Sequence, residues 1–397
     1  MSVKYLPVRF GSYYFFSCGI GGVIYFLSVW LEKRGLDFEK IGLVMSMTAI
    51  SKIAFGPIAA SISDRGVNSC RIMIILSCIA IAGTLMLFPH TGVFFYMIAV
   101  LLATGGVYSS TPLAENMTVT AIKNRMVKTD YARIRVVGTL SYVFFAVLTG
   151  YCVKKYTDFP DIIIYGILFF TIGMLAVSAV MVDVRDLKEI KGNRAKFKTL
   201  FRQKDFFIVM AIQILYSVSF GMQHGLGPAH WVSVGIDENI VGLLTIPAIF
   251  SETVFFLAAK KYFDGMSYQT MLLVSSFTTM IRWLIVGFTS DPLIIGCAFL
   301  LHGVNYCFIH LGMMNYIKDV IPENLSTRAQ AAYAILAGGV CSGLSMVFYG
   351  YVYPYFGGRT FLLAAGFSFV ATMLSLRLKR ARHDSKRRIA GSAEIEI

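Results

Sequence analysis

Residues 35–43 read Gly-Leu-Asp-Phe-Glu-Lys-Ile-Gly-Leu, and residues 235–243 read Gly-Ile-Asp-Glu-Asn-Ile-Val-Gly-Leu. Gly35, Asp37, Gly42 and Leu43 therefore recur as Gly235, Asp237, Gly242 and Leu243, at an offset of 200 residues. At the same offset Asp64 recurs as Asp264, and Gly150-Tyr151 as Gly350-Tyr351. Tyr14, Ser17 and Gly19 recur two residues further on, as Tyr216, Ser219 and Gly221. One such match means little. Several at one offset, each at the same place in its segment, indicate a duplicated chain.

The duplicated segments are apolar. Of 397 residues 56% are hydrophobic and only 15% charged, and the mean hydropathy is +0.68. A water-soluble domain of this length would show far more polar surface. A helix needs roughly 20 apolar residues to cross a bilayer, and backbone groups in lipid must be satisfied within the segment, so long apolar spans are helices. The pattern predicts twelve, at about 8–31, 39–61, 71–89, 92–117, 131–153, 161–182, 206–228, 238–259, 269–289, 291–317, 328–352 and 358–378. The first apolar run lacks a small-residue cleavage site and reads as a span, not as a cleaved leader.

Charge sets the expected orientation. With the N-terminus inside, the inner loops and termini hold 27 Lys and Arg residues and the outer ones six, Lys33, Arg34, Lys40, Lys154, Lys155 and Arg359. This bias predicts both termini on the cytoplasmic side. The net charge of +14 follows from those loops and does not call for nucleic acid. The seven cysteines are scattered, with no Cys-x-x-Cys pair, so neither a disulfide framework nor a metal site is expected. No cofactor is expected either.

Six helices followed by six similar ones is the parallel-repeat plan of major facilitator transporters, whose substrate site lies near mid-membrane. The expected fold is an all-α membrane protein of two six-helix bundles related by a pseudo-two-fold axis along the membrane normal. Its expected parts are an N-terminal bundle at 1–182, a charged cytoplasmic loop at 183–205, a C-terminal bundle at 206–378, and a basic, disordered tail at 379–397.

A charge at mid-bilayer costs roughly 2.5–3.5 kcal/mol on insertion scales, so each one inside a span needs water or a partner. The spans contain Lys52, Glu115, Arg135, Glu252 and Arg282, with His302 and His310. Lys52 and Glu252 stand at the repeat offset, each after a serine, Ser51 and Ser251. Lys52 lies roughly 14–20 Å from either end of its span at 1.5 Å per residue. Glu252, Glu115 and His302 are groups able to change charge during a transport cycle. Arg135 and Arg282 cannot release a proton, and so hold anions or carboxylates. For each of these residues the competing reading is a buried structural pair. Asp64-Arg65-Gly66 forms a charged inner turn between helices 2 and 3, repeated in part at Asp264, and reads as a gating loop. Tyr14 and Trp283 are candidates to stack on a ring-bearing substrate.

Helix 1 reads Tyr14-Phe-Phe-Ser-Cys-Gly19, then Ser28-Val-Trp30-Leu31, leading into Ile41-Gly42-Leu43. Helix 5 opens Asp130-Tyr-Ala-Arg133-Ile-Arg135-Val-Val-Gly138. Helix 9 carries Ile281-Arg282-Trp283, and helix 10 carries Leu301-His302-Gly303 and His310-Leu311. Over nearly the whole chain this ordered set resembles the phenylpropionate permease family of proton symporters, and more distantly lactose permease and nucleoside proton symporters. The resemblance implies that Glu115 and Arg135 bind substrate and that Arg282 and His302 stand in the proton relay. It departs from the sugar-type relay, with Asn305 where a carboxylate would stand and Phe299 where a lysine would stand. Lys52 then looks like a basic residue placed to meet a substrate carboxylate.

The resulting expectation is a monomeric, proton-coupled importer of a small organic acid, aromatic acids included, in the inner membrane of a bacterium. Its partners are substrate, proton and lipid. Lys52, Glu115, Arg135, Tyr14 and Trp283 are assigned to substrate, and Glu252, Arg282, His302 and His310 to the proton. A nucleoside or sugar symporter and an exporter of the same fold are the alternatives. A membrane-embedded enzyme is disfavoured, since neither a His-Glu-x-x-His motif nor a Gly-x-Ser-x-Gly elbow in a plausible setting occurs.

Overall fold

The Gly-x-Asp of the repeat is a helix stop followed by a helix start. In the computed structural model, Gly35 and Gly235 adopt φ of 84° and 91°, a region open to glycine at little cost. Each closes the helix before it with the same paired bonds. Gly35 N–H donates to Glu32 O and Leu36 N–H to Leu31 O, at 2.8 and 3.1 Å. Gly235 N–H donates to Val232 O and Ile236 N–H to Trp231 O, at 3.0 and 2.9 Å. Asp37 then caps the next helix, its carboxylate accepting from Lys40 N–H at 2.9 Å. That bond and the Lys40 ammonium hold the Asp37 carboxyl below its ordinary range.

The structure describes residues 5–89, 92–127, 129–184, 199–200, 203, 205–263 and 265–393, with backbone alone for Lys260 and 379–393. Among them there is no strand. The helices are α1 (Leu6–Ile24), α2 (Leu27–Lys33), α3 (Phe38–Asp64), α4 (Ser69–Leu85), α5 (Val93–Lys123), α6 (Tyr131–Lys155), α7 (Ile162–Val180) and α8 (Phe206–Ser233). They continue as α9 (Glu238–Leu243), α10 (Thr245–Tyr262), α11 (Tyr268–Phe288), α12 (Pro292–Phe299), α13 (His302–Val320), α14 (Glu323–Ile335), α15 (Ser342–Phe356) and α16 (Thr360–Ala393).

Nine helical stretches among the described residues are long and apolar enough to span a membrane, and α1 with α2, bent by 40°, makes a tenth. One of the nine, Glu323–Leu378, is 56 residues long, about 84 Å at helical rise. That is too much for one crossing of about 30 Å. It turns back at Gly357, whose φ is 53°. With the 17-residue apolar helix Ser69–Leu85, the helical runs coincide with the twelve expected spans.

Two expectations need correction. α16 runs on to Ala393 instead of ending near 378. Lys, Arg and Ala are good helix formers, and extending an existing helix needs no new nucleus. Span 11 is not uniformly α-helical either, because Leu336–Cys341 is a π-helical turn between α14 and α15. Ser217 Oγ donates to Ala337 O within that turn at 2.6 Å.

The chain packs as two compact units. The first comprises Met1–Ile190, Gly221–Ile246 and Gly343–Gly357. The second comprises Lys191–Phe220, Pro247–Ser342 and Gly358–Ile397. In the first, α1 packs on α6 and α7, α4 on α5 and α7, and α3 on α5. In the second, α11 packs on α13 and α16.

The first unit contains two glycine seams related by the repeat. A methyl group on Gly42 (α3) would lie 2.6 Å from Met346 O (α15), and one on Gly350 would lie 2.8 Å from Phe38 O. Two hundred residues away the partners exchange halves. A methyl group on Gly242 (α9) would lie 2.6 Å from Ala146 O (α6), and one on Gly150 would collide with Glu238 O. Each seam is backbone against backbone, which only glycine permits. Lys33 pairs with Glu238 at 3.0 Å, and Lys154 pairs with Asp237. Phe38 stacks on Tyr353, with ring centroids 3.9 Å apart.

Candidate functional site

Within the first unit, Glu115, in the last third of α5, meets Arg135, near the start of α6, with Oε1 and Nη2 3.5 Å apart. Both side chains are about a third exposed, 37% each. The Arg135 guanidinium lies 5.0 Å over the Tyr14 ring, and its Nη1 reaches Cys18 Sγ at 3.5 Å. Tyr14 Oη donates to Thr118 Oγ1 at 3.3 Å, and Tyr13 Oη to Ser110 Oγ at 2.7 Å.

Lys52 sits midway along α3, and its Nζ lies 4.7 Å over the Tyr108 ring. The residue is reached by solvent yet lies deep within the protein outline, as a group lining a recess does. Among the described residues no carboxylate pairs with it. Tyr108 and Glu115 are seven apart on α5, two turns along one face, about 10 Å at helical rise.

The second unit holds the other expected cluster. Arg282 of α11 is fully buried, its guanidinium 5.2 Å from the Phe220 ring, 4.6 Å from Trp283 and 4.4 Å from Phe299. Its Nη1 lies 3.0 Å from His302 Nδ1. His302 Nε2 lies 3.5 Å from Glu252 Oε2 of α10. A guanidinium only donates, so His302 Nδ1 accepts, and the ring proton of the neutral tautomer stands on Nε2, toward Glu252. A second proton on His302 would point at Arg282.

Further along α13, the His302 ring stacks on Tyr306, at 5.7 Å and 15°, and Tyr306 stacks on His310, at 6.3 Å and 21°. Asn305 is fully buried. Its side chain accepts from Thr278 Oγ1 at 2.5 Å, so this position bonds helix to helix and carries no charge.

Two of the residues expected to touch substrate are placed otherwise. Trp283 is fully buried, with Nε1 donating to Ser219 Oγ at 3.3 Å and its ring stacked on Phe361 at 5.5 Å. Tyr14 is also fully buried, beneath Arg135. Both rings support a charged residue and offer no open face. At the gating turn Asp64 and Arg65 are exposed, and Gly66, at φ 88°, turns the chain. Asp264 lies outside the described residues. Cys18, Tyr108 and Tyr306 stand beside the charges, and neither Cys18 nor Tyr306 was assigned a role from the sequence.

The sequence profile described as "MFS_1 like family" matches residues 10–364. The chain belongs to this family. The MFS_1 like chain is 26% identical over 370 residues to the "Probable 3-phenylpropionic acid transporter" of Escherichia coli (strain K12), covering 92% of this chain and 94% of that protein. It is 26% identical over 337 residues to the "Putative nucleoside transporter YegT" of the same organism, covering 79% and 76%. Among solved structures, nucleoside transporter NupG superimposes with a TM-score of 0.80 at 15% identity, over 94% of this chain and 98% of that one. That likeness concerns the fold. This MFS_1 like protein is a multi-pass membrane transporter of the major facilitator type, and the relatives named are transporters as well.

Proposed function

We propose that this transporter is a proton-coupled importer of a small organic acid, in the bacterial inner membrane with both termini cytoplasmic. The observation that carries the reading is the pairing of charges. Arg135 is matched by Glu115, and Arg282 is bonded into the His302–Glu252 chain. Of the three span cations Lys52, Arg135 and Arg282, Lys52 is the one with neither a carboxylate nor a histidine bonded to it among the described residues. A monoanion placed at Lys52 neutralises it, with the Tyr108 ring beneath the ammonium. A neutral solute would leave the charge unmatched at mid-span, where uncompensated charge is costly.

Glu252 takes the proton role. As a carboxylate it accepts from His302 Nε2–H, and as a carboxylic acid it is neutral and releases that bond. The two states differ by one charge in a partly buried position, 28% exposed. That difference can bias an equilibrium between two conformations. The glycine seams stand at the ends of the spans that the Lys and Arg asymmetry assigns to the outside. Asp64 and Arg65 are exposed at the opposite end of α3. The protein works as a monomer, and Asp64, Arg65 and Asp264 act at the inner gate.

The relative described as a phenylpropionic acid transporter supplies the probe. Purified protein in liposomes, acidic outside, is expected to accumulate labelled 3-phenylpropionate and to lose the accumulation when a protonophore collapses the gradient. Uptake of uridine with none of the acid would overturn the organic-acid reading and favour a nucleoside. Accumulation that ignores the pH gradient would overturn proton coupling.

A further inference from the structure

We propose that Tyr306 and His310 form a proton path that leads from the Glu252–His302 pair toward the inner end of α13. The inference rests on the reading of Glu252 as the proton site. It adds one residue outside every earlier assignment, Tyr306, and gives His310 a defined place.

The three rings stand at i, i+4 and i+8 of one helix, the spacing that stacks side chains along a helical face. Centroid distances of 5.7 and 6.3 Å with interplanar angles of 15° and 21° make the three rings a near-parallel, offset row along that face. Phe256 of α10 meets both lower rings edge-on, Tyr306 at 5.9 Å and 71°, His310 at 6.2 Å and 65°, and walls the ladder on an apolar flank. Tyr306 is 38% exposed, so part of the residue is not covered by protein. From His302 to His310 the ladder covers about 12 Å of helix, more than a third of a bilayer core of about 30 Å.

The chemistry fits a relay. The ladder's upper end is the His302–Glu252 contact at 3.5 Å. A phenol both donates and accepts. Tyr306 takes a proton from water on one side of its oxygen and gives up its own on the other, ending neutral. His310 receives that proton on a free ring nitrogen and passes it to water at the inner end. At each step one N–H or O–H bond forms as another breaks, and no net charge is left on the tyrosine. The groups that face this path are Glu252 from α10, Arg282 from α11 and Tyr216 from α8. Arg282 keeps a second proton off His302, which directs traffic down the helix and not back toward the buried guanidinium.

Tyr306→Phe keeps the stacked ring and deletes the hydroxyl. In proteoliposomes the readout is the ratio of pH-driven accumulation to counterflow of labelled 3-phenylpropionate, since counterflow needs no net proton transfer. The ratio is expected to fall about tenfold or more, the size of a lost proton-transfer group. The pH profile of accumulation should narrow, and His310→Phe should do the same. Tyr306→Leu, which breaks the stack, should behave no differently in the ratio than Tyr306→Phe. A wild-type ratio and pH profile in Tyr306→Phe, alongside loss of accumulation in Glu252→Gln, would overturn the ladder and leave the Glu252 reading standing. A wild-type protein that shows no pH-driven accumulation would overturn both.

Discussion

Lys52 and Glu252 occupy one position of the repeat, and their surroundings are nearly superimposable in kind. Ser51 Oγ accepts from Thr104 Oγ1 at 3.0 Å, and Ser251 Oγ accepts from Gly303 N–H at 3.0 Å. A methyl group on Gly105 would meet the Phe55 ring at 2.6 Å, and one on Gly303 would meet Phe255 at 2.8 Å. Serine, glycine and phenylalanine fix the same helix crossing twice. What differs is the next residue. Lys52 rests on a tyrosine ring, whereas Glu252 faces an imidazole that an arginine has already oriented. Duplication preserved the frame and divided the chemistry, giving one half a cation and the other a carboxylate.

If that division is correct, the two positions fail differently when altered. Glu252→Gln keeps the shape and fixes the group as neutral. Accumulation driven by a pH gradient should fall about 100-fold or more, while counterflow survives, as measured in the same liposomes. Lys52→Gln should act on binding. Removing a charged partner from a carboxylate costs about 1.5–3 kcal/mol, so the half-saturating 3-phenylpropionate concentration should rise about 10- to 100-fold, with dependence on the proton gradient retained. Lys52→Arg should recover part of the loss. If Glu252→Gln instead raised the half-saturating concentration with coupling intact, the assignment of roles would be reversed.

This contrast was readable from the sequence only in part. The offset of 200 placed Lys52 opposite Glu252 because helix spacing is regular and a duplicated span keeps its depth. Lys52, Glu115, Arg135, Glu252, Arg282, His302 and His310 were expected to line one interior because lipid penalises each of them; the structure pairs Glu115 with Arg135, and His302 with both Arg282 and Glu252, each contact within 3.5 Å. Trp283 and Tyr14 were misplaced for a physical reason. An aromatic residue in a span packs equally well toward a helix, a cavity or lipid, and composition does not tell these directions apart. Tyr306, one of 21 tyrosines, carries no signal until its register with His302 and His310 is noticed. Asp237 looks like the helix cap that Asp37 is, but its carboxylate goes to Lys154 instead, a long-range choice outside the reach of local pattern.

The glycine seams extend the comparison to the moving parts. Gly42→Ala and Gly242→Ala place the same methyl group 2.6 Å from a carbonyl oxygen in each seam. Backbone cannot yield as a side-chain tip can, and overpacking of this kind costs about 1–3 kcal/mol. Each substitution should bias the protein away from the closed seam by about 5- to 100-fold. Alkylation of a single cysteine introduced at Phe38 or at Glu238, in an otherwise cysteine-free background, would report it. Equal effects would sharpen the equivalence of the two seams. An effect at one seam alone would show that closure relies on that side.

The smallest expected effect separates the seams by what surrounds their glycines. One is flanked by the ion pairs Lys33–Glu238 and Lys154–Asp237, the other by the Phe38–Tyr353 stack, with His230 Nδ1 2.7 Å from Tyr353 Oη. Lys154 and Asp237 are about half exposed, 45% and 50%, so their pair is worth no more than about 1 kcal/mol and is screened by salt. Lys154→Ala should speed alkylation at the Glu238 position by about fivefold or less at low ionic strength, and the difference should shrink at 1 M salt. Tyr353→Ala should change alkylation of a cysteine placed instead at Met346, which keeps Phe38, by an amount that salt leaves alone, because a stacked ring pair has no net charge to screen. Salt sensitivity in both seams, or in neither, would mean that these flanking contacts are decoration and that the glycines alone set the closed state.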